Sequence, residues 1–176
     1  MVNAYEPLTP AQRKIFWAVS IVCAASRLVA ISRSLWDWDE ALFSLGMRGY
    51  DVAKHHPHPP GFPLFIALAR LMRLIAPTDF RALQSVSVIS SFFVFPAVYF
   101  LARSVRIGFP TAVIAGVLSA FFPNVWFFGG TAFSDVPSIV LVLFAVAALF
   151  RGVDERRIMG RDHRVAIASH QHLEAA

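Results

Sequence analysis

Residues 83–102 and 109–128 form two charge-free, mainly apolar runs, each about 20 residues long, joined by a short basic link. At 1.5 Å per residue, such a run makes a helix of about 30 Å, the thickness of a bilayer hydrocarbon core. A helix of that length in a water-soluble domain needs a charged face, and these two have none. The whole chain agrees: 57% of its residues are hydrophobic and only 15% charged, well away from soluble averages. The fold class expected is therefore an all-α integral membrane protein.

Three further apolar runs complete the pattern. Residues 15–34 follow the basic pair Arg13 and Lys14 and are interrupted by Arg27 and Arg33. An arginine inside a span costs roughly 3 kcal/mol on insertion scales unless it snorkels or finds a partner. Arg33 is near enough to the end to snorkel, whereas Arg27 lies deeper and needs a partner. Residues 136–150 are short for a span and become long enough if residues 131–134 join them, with Pro137 in the first turn.

The run at residues 62–76 is also short, and it carries Arg70 and Arg73 on one face. Counted as a span, it would put Arg103 and Arg106 on the opposite side from Arg13 and Lys14, against the positive-inside rule. Laid in the interface as an amphipathic helix, it leaves four spans, at about residues 15–34, 83–102, 109–128 and 131–150. Three basic clusters, Arg13 with Lys14, Arg103 with Arg106, and the arginines from Arg151 to Arg164, then share the cytoplasmic face. The expected layout is a cytoplasmic tail over residues 1–12, a transmembrane module over 13–151 and a polar cytoplasmic tail over 152–176. Amphipathic juxtamembrane helices sit in one long extracytoplasmic loop at about 35–82, on a multi-pass protein of the plasma (inner) membrane. Pro96 and Pro123 fall inside spans and are expected to bend them.

The net charge of +5 does not point to nucleic acid, because the basic residues sit at the ends of apolar runs and form no tract interleaved with aromatics. The single cysteine, Cys23, excludes an intramolecular disulfide and a cysteine metal cluster. It reads as a small buried or lipid-facing residue.

Polar chemistry is concentrated at residues 36–63, between two apolar runs. Residues 38–50 suit a short helix with Leu42, Phe43 and Leu45 resting on the membrane. Residues 55–60 are expected to be held extended by their prolines, Pro63 to start a helix and Ala76-Pro77 to end it. Asp39 and Glu40 are adjacent, so on a helix they point about 100° apart and cannot share one role. One can face a cleft while the other caps a helix or pairs with an arginine. A partly desolvated carboxylate at the membrane boundary is an improved base for a hydroxyl, although acids also simply favour a helix N-terminus. Asp37 reads as solvated.

Asp135 emerges on the same face as Asp39 in the four-span layout. It either caps the last span together with Ser134 or works with Asp39. Two acidic sites on one face suit a divalent ion, a substrate hydroxyl, or a division of base and orienting work. His55, His56 and His58 invite a zinc reading, but H-H-x-H without nearby cysteine does not match a closed zinc site. His58, Arg27, Arg48 and Lys54 are the candidate substrate-binding residues. Arg48, Lys54, Arg70 and Arg73 suit either phosphate or lipid headgroups. Trp36 and Trp38 fit an aromatic belt or, less readily, a sugar-stacking platform.

Five short stretches in order carry a family resemblance: Trp38-Asp39-Glu40, His58-Pro59-Pro60-Gly61-Phe62-Pro63-Leu64, Tyr99-Phe100-Leu101-Ala102-Arg103, Ser119-Ala120-Phe121-Phe122-Pro123 and Phe133-Ser134-Asp135-Val136-Pro137. Together they resemble the GT-C superfamily of membrane glycosyltransferases over about residues 13–151. The likeness is closest to the branch with protein O-mannosyltransferases, the lipid A aminoarabinose transferase and Rgt-like bacterial sugar transferases. The resemblance implies sugar transfer from a polyprenyl-phosphate donor to a glycan, lipid or protein acceptor on the extracytoplasmic face. It makes Asp39 the catalytic base, with Glu40 and Asp135 building the acceptor or metal site. A divalent metal held by Asp39, Glu40 and Asp135 is the one cofactor left open.

Members of that family have eight or more spans and this chain offers four. It is therefore expected to be an N-terminal portion, with a second chain or segment completing the enzyme. The alternative of another class is a non-catalytic membrane scaffold or accessory subunit with the same fold. A small transporter fits less well, since no acid lies mid-span and no inverted repeat is visible.

Overall fold

The structure, a computed structural model, describes residues 7–153, and every regular element among them is a helix. The outer parts of the two expected tails, residues 1–6 and 154–176 with His163, His170 and His172, lie outside the described residues.

Helix α1 (Pro10–Arg27) starts earlier than residue 15. Thr9 and Gln12 form a reciprocal capping box, and Pro10 brings a helical φ to the first position. The helix does not run on to residue 34. After Arg27 a 3-10 turn, Leu28–Ala30, leads the chain against Gly130, where the Ser32 amide donates to the Gly130 carbonyl at 2.9 Å. An amide committed there cannot extend the helix. A Cβ on Gly130 would collide with the Ala30 carbonyl, so this close approach requires glycine.

Helices α2 (Trp38–Arg48) and α3 (Pro63–Met72) follow, then α4 (Asp79–Ser91) and α5 (Val94–Ser104). Helix α4 begins upstream of residue 83 because Thr78 Oγ1 accepts from the Arg81 amide at 3.2 Å and Asp79 lies in the first turn, at the positive end of the dipole. Between α4 and α5 the chain passes through an irregular turn at Phe92 and Phe93. Pro96 has no amide with which to bond the Phe92 carbonyl, so the helical ladder is interrupted there.

The expected continuous span at residues 109–128 is two helices, α6 (Phe109–Ala120) and α7 (Pro123–Phe128). Phe122 sits at ψ 127°, the extended conformation preferred before proline, so Pro123 ends one helix and starts the next instead of bending a single one. Helix α8 (Asp135–Val153) does not include residues 131–134. Their backbone is used across the fold: the Ala132 amide donates to Glu40 and the Phe133 carbonyl accepts from Ser87.

Two helical stretches, Asp79–Ser104 and Asp135–Val153, are long and apolar enough to cross a membrane. Helix α3 has 10 residues, about 15 Å, which is half a bilayer core.

Packing falls into two clusters. Phe16 and Cys23 of α1 meet Phe95 and Tyr99 of α5, with Ala112 and Ala120 of α6 and Val136 and Val140 of α8. Gly116 lets α6 approach α5, since a Cβ there would lie 2.7 Å from Phe95 Cδ2. The second cluster joins Phe43 and Met47 of α2 to Phe65 and Ile66 of α3, Leu83 of α4 and Phe133. Leu42 and Phe43 are therefore buried within the protein, not laid on a membrane surface, while Leu45 stays exposed. Burial of a side chain the size of Phe43 contributes about 2 kcal/mol to the packing of α2 against α3 and α4.

Candidate functional site

The segment between α2 and α3 is a compact turn and not the extended strap its prolines suggest. Asp51 and His56 exchange backbone hydrogen bonds at 2.6 and 2.9 Å, and Asp51 Oδ1 accepts from the Ala53 amide at 3.1 Å, capping a 3-10 turn at Val52–Lys54. The His56–Pro57 and Pro59–Pro60 peptide bonds are cis. Pro57 is buried against Gly46, where a Cβ would lie 2.7 Å from Pro57 Cδ. This contact seats His58 beside α2, with its ring 5.3 Å from that of Phe43 and 5.1 Å from that of Phe62.

Asp37 is not merely solvated: its Oδ1 accepts from the Asp39 amide at 2.9 Å and starts α2. From there the two neighbouring acids diverge. Asp39 is half-exposed, and its Oδ1 lies 3.8 Å from His58 Nδ1. Glu40 is 0% exposed. Its Oε2 accepts from the Trp36 amide at 2.9 Å and its Oε1 from the Ala132 amide at 2.7 Å. A buried carboxylate with both oxygens taken by backbone donors is a clamp between two loops. Glu40 does not line the space that Asp39 lines, so of the two adjacent acids it is Asp39 that faces a cleft and Glu40 that serves a helix-entry loop.

That space is a cleft of about 450 Å³ at one end of the helix bundle. Its lining includes Asp39 and Phe43 of α2, His58 and Phe62, Asn124 and Phe128 of α7, and Phe133, Ser134 and Asp135. Asp39 and Phe43 are four residues apart on the same face of α2. Asp135 is exposed at the first turn of α8. The structure thus brings Asp39, His58 and Asp135 to one cavity. Asn124 was missed in the sequence, although a lone amide directly after Pro123 in an apolar run was the available signal.

The remaining candidates are elsewhere. Arg27 is 0% exposed and donates through Nη2 to the Ala120 carbonyl at the C-terminal end of α6. Nη2 finds its partner there, at a helix end where a cation suits the dipole, while Nε and Nη1 are buried without a hydrogen-bond partner among the described residues. Arg48 pairs with Asp79 at 2.7 Å and Arg73 with the same carboxylate at 3.0 Å. Arg70 donates to the Gly46 and Met47 carbonyls, closing the C-terminal end of α2. Lys54 pairs with Asp51 at 3.2 Å, and its hydrogen bond holds the Asp51 carboxyl below the usual carboxylate range. None of these cations lines the cleft.

No protein-family model, curated protein or solved structure matches this chain. What the site can do follows from its own geometry.

Among the described residues, no three His, Cys, Asp or Glu side chains group as a metal-ligand set. The trio of Asp39, Glu40 and Asp135 is not assembled, because Glu40 is turned away, and His55, His56 and His58 do not converge. Two carboxylates that accept hydrogen bonds and an imidazole beside one of them remain. Such a set can orient a hydroxyl group and take its proton.

Proposed function

We propose that the chain is a membrane glycosyltransferase of the GT-C kind, or the N-terminal part of one. It transfers a sugar from a polyprenyl-phosphate carrier to an extracytoplasmic hydroxyl. The observation that carries this reading is Asp39, half-exposed in a cleft that also holds Asp135 and has His58 Nδ1 at 3.8 Å. Asp39 removes the acceptor proton, the acceptor oxygen attacks the anomeric carbon, and the bond from that carbon to the phosphate oxygen breaks. The sugar is bonded to the acceptor with inverted configuration, and polyprenyl phosphate leaves. Asp135 orients the acceptor, and Glu40 holds the two loops that set the separation of the acids.

The membrane arrangement that suits this chemistry has four spans: α1, α4 with α5, α6 with α7, and α8. Arg13, Lys14, Arg103, Arg106 and Arg151 then lie on the cytoplasmic side. Helix α3, at 10 residues, stays in the interface.

The test is Asp39→Asn in a complete, active assembly in its membrane. Transfer is lost while insertion and abundance persist; retained transfer removes Asp39 from the mechanism.

One observation favours a second reading. The cleft has no Lys or Arg in its wall, and Arg48, Arg70 and Arg73 are engaged within the fold. A non-catalytic scaffold that binds another membrane subunit needs no phosphate-binding cation. Under that reading Asp39→Asn leaves transfer by the copurifying subunit unchanged.

A further inference from the structure

The cleft does not end at its acidic mouth. A second, apolar groove of about 420 Å³ abuts it, walled by Val94 and Val98 of α5, Leu118 of α6 and Leu143 of α8. The two cavities share Val125 and Ile139 as wall residues. On α8 the sequence Asp135, Ile139, Leu143 steps by four residues, so carboxylate, shared wall and groove lie on one stripe of one helix, about 6 Å apart along the axis. Both volumes fall in the range of small-molecule sites. Leu118 and Ile139 of its wall are exposed, so the groove is open and not an enclosed cavity.

Charge decides what kind of amphiphile fits. The combined walls carry two carboxylates, Asp39 and Asp135, and no lysine or arginine. An anionic phosphate head would meet like charge with no counter-cation. A head rich in hydroxyls instead donates hydrogen bonds to the carboxylates, the stronger charge-assisted kind. An apolar chain removed from water by the groove supplies the rest of the affinity.

We propose that cleft and groove together hold one amphiphile, a hydroxyl-bearing lipid without phosphate on its head, with the head between Asp39 and Asp135 and the chain along Ile139 and Leu143. If the transfer reading is right, this lipid is the acceptor and not the donor, and the cations that hold the donor's phosphate come from outside this cavity.

The experiment reads binding alone. The protein is placed in phosphatidylcholine nanodiscs with a dodecyl glucoside bearing a diazirine on its chain, irradiated, and its peptides are mapped. Adducts are expected to concentrate around Leu118 and at Ile139–Leu143, above the level at the outward-facing Ile21 and Val22 of α1. Excess dodecyl glucoside removes them and dodecyl phosphate does not. Asp135→Asn raises the glucoside concentration needed for half-competition about tenfold, the loss of one charge-assisted hydrogen bond. Leu143→Trp, filling the groove, abolishes the adducts, while Ile21→Trp on the outer face of α1 leaves them unchanged.

Competition by dodecyl phosphate equal to that by the glucoside, or labelling spread evenly over the outer surface, overturns the proposal. These outcomes are separable from failure of the transfer reading. Labelling that persists where Asp39→Asn leaves transfer intact marks a lipid-binding protein without this catalytic base. Transfer lost in Asp39→Asn without groove labelling marks an enzyme whose acceptor sits elsewhere.

Discussion

Glu40 Oε1 accepts a hydrogen bond from the Ala132 amide at 2.7 Å, across 92 residues of sequence. The other oxygen holds the Trp36 amide, so one buried carboxylate ties the loop entering α2 to the loop entering α8. Asp39 lies three residues after Trp36 and Asp135 three after Ala132, so a side chain that does not line the cleft ties together the two segments that carry them.

Glu40→Gln keeps one acceptor oxygen and turns an amino group toward a backbone donor, which is expected to cost about 2 kcal/mol. Glu40→Ala leaves two buried amides unpaired and costs about 3 kcal/mol or more. In a domain of this size the first loss lowers the thermal midpoint by about 4–8 °C. Thermal unfolding in nanodiscs checks both, and an unchanged midpoint for Glu40→Ala removes the clamp.

Arg27 donates to the Ala120 carbonyl and does not line the cleft, so a structural role is expected of it. Arg27→Met keeps most of the buried volume and removes the need to desolvate a guanidinium, which offsets the loss of the donor to the Ala120 carbonyl. Stability within about 1 kcal/mol of the parent is expected for Arg27→Met, with a larger loss for Arg27→Ala, which opens a cavity. Transfer by a complete assembly persists in Arg27→Met. Loss of transfer at full abundance would return Arg27 to the substrate site.

His58 packs between Phe43 and Phe62 while its Nδ1 faces Asp39. His58→Phe preserves the aromatic packing and removes the polar neighbour. Folding is expected to survive, and transfer to fall by less than the roughly 10²–10⁴-fold expected for loss of a base itself. A rate equal to that of the parent shows that Asp39 works without the imidazole.

Gly46 has room for hydrogen alone against Pro57. Gly46→Ala pushes the proline turn off α2 and is expected to cost about 1–3 kcal/mol. Because that turn carries His58, transfer should fall with it. Gly49→Ala, at a glycine with nothing within 4 Å of an added Cβ, is the matched control.

The four-span arrangement predicts which positions face which side. On a Cys23→Ser background, cysteines at Tyr50 and Asn124 are expected to label from outside intact cells, and those at Arg106 and Gly152 only after permeabilisation. Labelling of Tyr50 and Asn124 from opposite sides would place α3 across the membrane and withdraw the shared acidic face.

Much of this organisation was legible in sequence because it depends on local chemistry. The charge-free run in α4 and α5, the proline at the start of α3 and the acids opening α2 are signals read within a few residues. Helix limits were less legible. Thr9 and Thr78 lengthened α1 and α4 at their starts, and Pro123 divided what looked like one span, since a proline can either kink a helix or end it. The partners of the arginines were the least legible. Arg48, Arg70 and Arg73 look like anion ligands in sequence, yet each is engaged by a carboxylate or carbonyl brought near only by the packing of α2, α3 and α4.

Sequence alone thus determined the helical, apolar character of the chain and the placing of its polar residues between helices, because hydropathy and helix-end chemistry act over short distances. Only the tertiary structure separated Asp39 from Glu40 in environment. Adjacent residues on a helix point in different directions, and the amide of Ala132, far along the chain, decided which acid was buried and which was left facing the cleft.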